Sequence, residues 1–213
     1  MEFSFSEEQQ EFMEIVERWA RDQIVPNWSI EADDRGVFLQ DSWNKMGEMG
    51  LLGLPFPEEY GGSGAPAVSL CLAGEGMGRA GVDAGTCLSW GASTVLCGVP
   101  IWKLGTEEQK RRYLPKMCTG EWIGGFCLTE PGSGSDAAGM KTRAVREGDE
   151  WVLNGSKTWI TNGPNAHHFV VTAVTDPEAK PRSAGISTFI VDADSPGFRV
   201  GNKLDKLGHR TSP

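Results

Sequence analysis

The sequence predicts an α+β fold: an all-helical N-terminal domain over residues 1–121, then an antiparallel β-domain over residues 122–213. Three observations carry this. Capping pairs, apolar residues at three- and four-residue steps and glycine stops fill the first half. After Glu121 the segments are short, rich in β-branched and aromatic residues, and bounded by turn residues. No helix pattern alternates with these strands, so a βαβ sheet is not expected.

Each element follows from its local grammar. Ser6 and Gln9 form a capping-box pair at the head of SEEQQEFMEIVERWARDQIVP. Phe12, Ile15, Val16, Trp19 and Ala20 then recur as one apolar stripe, and Pro26 kinks or ends the helix. DSWNKMGEMGLLG is a shorter helix closed by glycine, and PEEYGGSGAP is a loop. AVSLCLAGEGMGRAG and GTCLSWGASTVLCG are helices rich in small residues and apolar on more than one side, hence interior. GTEEQKRRYLPKMCTGE repeats the cap with Thr106 and Gln109 and turns a charged face to water. The strand segments are WIGGFCL, KTRAVRE, EWVLNG, SKTWITNG, HHFVVTAVT, GISTFIVDA and FRVGNKLDK. Asn154-Gly155 is the hairpin signal between WVL and SKTWIT.

Bulk properties narrow the function. The 213 residues carry 29 acidic and 20 basic side chains, a net charge of −9, which disfavours nucleic acid and anionic membranes as partners. No stretch is read as approaching the ~18 apolar residues of a membrane span. Met1–Gln10 is acidic and polar, unlike a secretory signal or a transit peptide. Five cysteines, odd in number and without a C-x-x-C pair, read as reduced thiols of a cytoplasmic protein. Three histidines lack metal-ligand spacing, so no metal is expected.

The chemistry concentrates in two stretches. In FCLTEPGSGSD, Gly132, Gly134 and Ala137 match the dinucleotide-binding glycine pattern, with Asp149 and Glu150 downstream. That fold needs a helix directly after the glycines, whereas residues 138–147 carry Gly139 and a strand alternation. The match is accidental. Two readings of the loop remain: a solvated turn, or a cradle of open backbone N–H groups with Ser133 and Ser135 hydroxyls that suits a pyrophosphate. In KTWITNG, alternation puts Lys157, Trp159 and Thr161 on one face. There the indole either covers a planar ring whose edge Thr161 hydrogen-bonds, or packs as a cross-strand core aromatic.

FCLTEPGSGSD and NGSKTWITNG, with LGLPFPEEYGG and LGTEEQKRRYLPKMCTGE before them, resemble the acyl-CoA dehydrogenases over essentially all 213 residues. The resemblance implies a helical N-terminal domain, a middle β-barrel that binds FAD, and a C-terminal four-helix domain. Phe126, Cys127, Leu128, Thr129, Gly132, Ser133, Gly134 and Ser135 would then line the cofactor, with Ser135 also touching CoA. Trp159, Ile160 and Thr161 would pack on the flavin ring, Thr161 towards N5. Trp90 would border the acyl pocket or pack in the core. Glu130, a tempting general base, is assigned a structural role in its T-E-P-G turn.

The chain ends at KLGHRTSP, where the family pattern runs on into the C-terminal domain. The resemblance puts the catalytic base there, so no catalytic residue is assigned within 1–213 and this polypeptide alone is expected to be inactive. The implied activity is α,β-dehydrogenation of an acyl-CoA thioester, with electron-transferring flavoprotein as acceptor and a homotetrameric whole enzyme. The alternatives are an acyl-CoA oxidase or flavin monooxygenase on the same fold, or a non-catalytic binding module.

Overall fold

The computed structural model of the chain describes residues 4–213. Seven α-helices lie in its first half: α1 (Glu7–Gln23), α2 (Ile30–Asp34), α3 (Gln40–Glu48), α4 (Ala67–Ala80), α5 (Ala84–Trp90), α6 (Val99–Leu104) and α7 (Glu107–Thr119). Both capping boxes form as the sequence indicates. The Ser6 hydroxyl accepts the Gln9 N–H at 3.2 Å while the Gln9 side chain accepts the Ser6 N–H at 3.0 Å. Thr106 and Gln109 repeat the exchange at 3.2 and 2.8 Å. Helix α1 stops at Gln23 and Pro26 sits in a 3₁₀ turn beyond it. Its buried stripe is Met13, Val16 and Ala20, which rotates the expected face and leaves Ile15 40% exposed.

Between α5 and α6 the helix continues with π spacing over Gly91–Gly98, giving one 21-residue run, Ala84–Leu104. By length and composition this run is apolar enough to cross a membrane, which corrects the sequence reading. Its many small residues, glycines, alanines, serines and two cysteines, hid that character. Within the fold 56% of the apolar window is buried in protein, as a central core helix requires. Trp43 and Trp90 anchor the helical core by donating to the carbonyls of Gly120 and Leu51, each at 3.1 Å.

The second half forms a five-stranded sheet from β1 (Gly124–Cys127), β2 (Arg143–Glu147), β3 (Glu150–Asn154), β4 (His168–Val174) and β5 (Ile186–Asp192). It is mixed and open, not an antiparallel barrel. β1 and β2 both pair with β4 in parallel, whereas β2–β3 and β4–β5 are antiparallel. The hairpin turn falls at Gly148-Asp149, where Gly148 takes φ 64°, and Asn154-Gly155 merely ends β3. The FRVGNKLDK and SKTWITNG segments form no strand. Residues 137–139 make one 3₁₀ turn and no longer helix, so the βαβ unit is absent there.

The sheet packs one face on the helices. Phe56, Cys97, Tyr113, Met117 and Val170 share a core across α7, the π-helical segment and β4. Gly124 makes the approach possible, because a Cβ there would stand 2.6 Å from Cys97 Sγ. The last residues return to the helices: Arg210 donates to the carbonyls of Asp33 (3.1 Å) and Asp34 (2.8 Å), and Thr211 donates to the Asp83 carboxylate.

Candidate functional site

Two segments meet on one edge of β4. β1 runs parallel to residues 168–171, leaves that edge, and returns to it as β2, where Arg143 pairs with Val174. The excursion between them is the glycine loop. Its neck is held by Glu130, whose Oε2 accepts the Lys141 N–H at 2.6 Å and whose Oε1 accepts the Thr142 N–H at 2.9 Å. The backbones of Glu130 and Ser133 exchange hydrogen bonds at 2.9 and 3.1 Å, tightening the first turn.

The second segment, residues 155–160, crosses this neck. The Thr158 N–H donates to the Thr129 carbonyl at 2.9 Å. The Lys157 ammonium donates to the Leu128 carbonyl and to Glu130 Oε1, each at 3.0 Å. The pair is buried, with side chains 9% and 5% exposed. Burial alone would push the Glu130 carboxyl up. Hydrogen bonds from Thr142, the Lys141 N–H and Lys157 outweigh it and hold the group down at about 2. A carboxylate so engaged is a poor proton acceptor, in keeping with its structural assignment.

Trp159 follows directly and departs from the alternation expected of it. Its φ is +59°, and its indole is 72% exposed while Lys157 points inward. One left-handed residue has reversed the face. Ile160 packs towards Cys127 and Phe169 in the core beneath, and Thr161 is half-buried at the start of a turn. Asn162 fixes that turn with φ +67°, donating through Nδ2 to the carbonyls of Ser89 (3.0 Å) and Gly124 (3.1 Å). Neither Lys157 nor Asn162 was marked as an anchor in the sequence; the Asn-Gly pair at 162–163 is the signal that could have found the second.

The glycine-loop residues divide. Gly132, Gly134 and Ser135 are exposed, and nothing lies within 4 Å of a Cβ added at either glycine, so the outer face of the loop is open. Phe126, Leu128 and Thr129 are half-buried. Cys127 is buried, which pushes its thiol up to about 12. Two expectations need correction. Ser133 is buried and its hydroxyl donates to the Asp136 carbonyl at 2.5 Å, so it is committed within the loop. Trp90 is 5% exposed and packs in the helical core, which takes it off any open pocket wall.

The result is an exposed aromatic plate beside a loop of unpacked backbone, joined through the Thr158–Thr129 bond. Such a surface suits a planar ring carrying a phosphate-rich tail.

Comparison with known proteins gives this geometry a context. The sequence model described as "Acyl-CoA dehydrogenase, N-terminal domain" matches residues 6–121, and "Acyl-CoA dehydrogenase, middle domain" matches residues 125–213. The chain is 43% identical over 212 residues to the "Probable acyl-CoA dehydrogenase YngJ" of Bacillus subtilis, covering 100% of this chain and 55% of that protein. It is 42% identical over 209 residues to the mitochondrial isovaleryl-CoA dehydrogenase of Pongo abelii, covering 97% and 49%. Among solved structures, one titled for the electron transferring flavoprotein of Acidaminococcus fermentans superposes with TM-score 0.90 at 42% identity, covering 100% of this chain and 55% of that one. The prolyl acyl carrier protein oxidase AnaB gives 0.90 at 34% identity, covering 98% and 55%. A glutaryl-CoA dehydrogenase from Mycobacterium smegmatis in complex with FADH2 gives 0.88 at 34%, covering 98% and 51%. The chain thus spans about half the length of the curated relatives it matches.

Proposed function

Because the chain belongs to the acyl-CoA dehydrogenase family, we propose that the protein binds FAD between the glycine loop and Trp159 and dehydrogenates an acyl-CoA thioester. The observation that carries this is the exposed indole beside the open loop, in the two motifs that resemble the family most closely. Trp159 is the surface for the flavin ring, with Thr129, Ile160 and Thr161 around it; Phe126, Cys127 and Leu128 back the site from the sheet. Gly132, Gly134 and Ser135 face the phosphates, and Ser135 also meets CoA. When bound, FAD supplies the hydride acceptor. This chain's residues bind and orient the ring and exclude water from one side of it.

The α-proton needs a separate acceptor within hydrogen-bond reach. Glu130 is committed to Lys157, Lys141 and Thr142, so these 213 residues by themselves should bind flavin without turning over. Electron-transferring flavoprotein is the proposed acceptor, and the relative named for isovaleryl-CoA directs attention to short, branched thioesters. A cytoplasmic homotetramer completes the reading. The neighbour named as an oxidase favours one alternative, direct reaction with oxygen.

Anaerobic titration of the full-length protein with a chain-length series of acyl-CoA thioesters tests the proposal by flavin absorbance. Bleaching by one member of the series is expected, with slow reoxidation in air. No bleaching by any member overturns the dehydrogenase reading, and fast reoxidation in air moves the protein to the oxidases. The isolated 213 residues with FAD should not bleach at an enzymatic rate; if they do, a base lies inside them.

A further inference from the structure

The ion pair between Glu130 and Lys157 joins the two ligand-facing segments at a single point. Glu130 closes the neck of the glycine loop by accepting the Lys141 and Thr142 N–H groups where the chain returns to the sheet. Lys157 reaches the same carboxylate and the Leu128 carbonyl from the opposite segment, two residues before Trp159. Both charged groups are buried, so each depends on the other for solvation. Two hydrophobic side chains would fill this space with less desolvation cost. The β2–β3 ladder already joins the base of the two loops through Arg143 and Asn154. What the charged pair adds is a tie on the far side of the crossing, between residues 128–130 and Lys157. There the Thr158 N–H to Thr129 carbonyl bond is its backbone companion.

We propose that Glu130 and Lys157 are positioning residues: a buried clasp that sets the distance between the glycine loop and the Trp159 plate, and thereby the affinity for FAD. The proposal rests on the FAD reading above. It assigns the pair no contact with cofactor or substrate. Loss of either member frees the neck or the Trp159 turn and leaves the other charge buried alone. Loss of both frees the same joint but strands no charge, so the two losses should not multiply.

The test is a double-mutant cycle in the full-length protein: wild type, Glu130→Gln, Lys157→Met and the double variant. FAD dissociation constants are read by flavin fluorescence, and the visible circular dichroism of bound flavin reports its asymmetric surroundings. Each single variant should weaken FAD by about tenfold or more, and the double variant should be no weaker than the worse single. The flavin dichroism should change in all three, which loss of stability alone would not cause. Single variants within about twofold of wild type, or a double loss equal to the product of the singles, overturn the clasp. If the single variants do not fold, the double variant decides, and wild-type affinity in it overturns the proposal. Wild-type protein that takes up no FAD overturns the cofactor reading beneath it, a result distinct from any in the variant series.

Discussion

Trp159 occupies a conformation that bulky residues avoid: at φ +59° its Cβ crowds the backbone, a cost of order 1 kcal/mol. Its indole is mostly in water, so little burial offsets the strain in the protein without ligand. Strain held beside an open loop is consistent with a surface kept ready for a partner. This separates two effects that usually move together. Trp159→Gly relaxes the backbone but removes the plate. The apo protein should therefore melt at the same temperature or higher, while FAD binds about tenfold more weakly through lost stacking and burial. Differential scanning calorimetry and a flavin-binding titration check the two signs. A lower apo midpoint with unchanged FAD affinity would contradict both. The sequence gives no warning of this turn, because neither glycine nor asparagine stands at 159. Period-two alternation put Lys157 and Trp159 together, and one positive φ sent them apart.

At the scale of elements, the close contact of β1 with the π-helical segment sets where the glycine loop begins. Gly124 is the contact point, with Met117 Cε 3.2 Å from the same imagined Cβ as Cys97 Sγ. Gly124→Ala should cost about 1–3 kcal/mol, the usual range for overpacking, and lower the apo melting midpoint by several degrees. Gly134→Ala, where a Cβ meets nothing within 4 Å, should leave that midpoint nearly unchanged. Equal effects at the two sites would remove the close-approach argument. Helices of this chain are legible in sequence because their signals are local: Ser6 with Gln9 and Thr106 with Gln109 each specify a start within four residues. The sheet is legible only in part. Asn154-Gly155 and Gly148-Asp149 are both good turn dipeptides, and the pairing of Arg143 with Asn154 decides between them. The parallel pairing of β1 with β4 joins residues about forty apart, and no local signal encodes it. That a loop separates β1 from β2 is legible in the glycine- and serine-rich composition, but the Glu130–Lys157 joint needed the folded chain.

The whole molecule is joined where α7 meets the sheet, and a histidine sits dry in that joint. His168, fully buried on β4, lies 4.7 Å from the Tyr113 ring and 5.8 Å from Trp122, and neither of its ring nitrogens has a hydrogen-bond partner among the described residues. The carboxylate of its cross-strand partner, Asp192 on β5, is already engaged by the Tyr113 hydroxyl at 2.8 Å and by Arg112. His167 turns away, accepting the Ile123 N–H at 3.1 Å. Burial, with Arg112 and His167 nearby, holds the His168 ring neutral down to about 3, well below its ordinary 6.5. The unfolded chain takes up this proton from pH 6.5 downward while the folded chain refuses it, so the stability it carries is complete above 6.5. That stability is lost at about 1.4 kcal/mol per pH unit on the way down to about 3. Glu130 adds its own loss only from about 4.5 towards 2, so between pH 6.5 and 4.5 the loss is that of His168 and not of Glu130. His168→Phe keeps an aromatic ring in the joint and removes the titration. The melting midpoint of the wild-type protein should fall steadily between pH 6.5 and 4.5, and that of the variant should fall much less. Parallel profiles for the two proteins would show that the joint admits the proton, and the dry histidine would then carry none of the acid sensitivity.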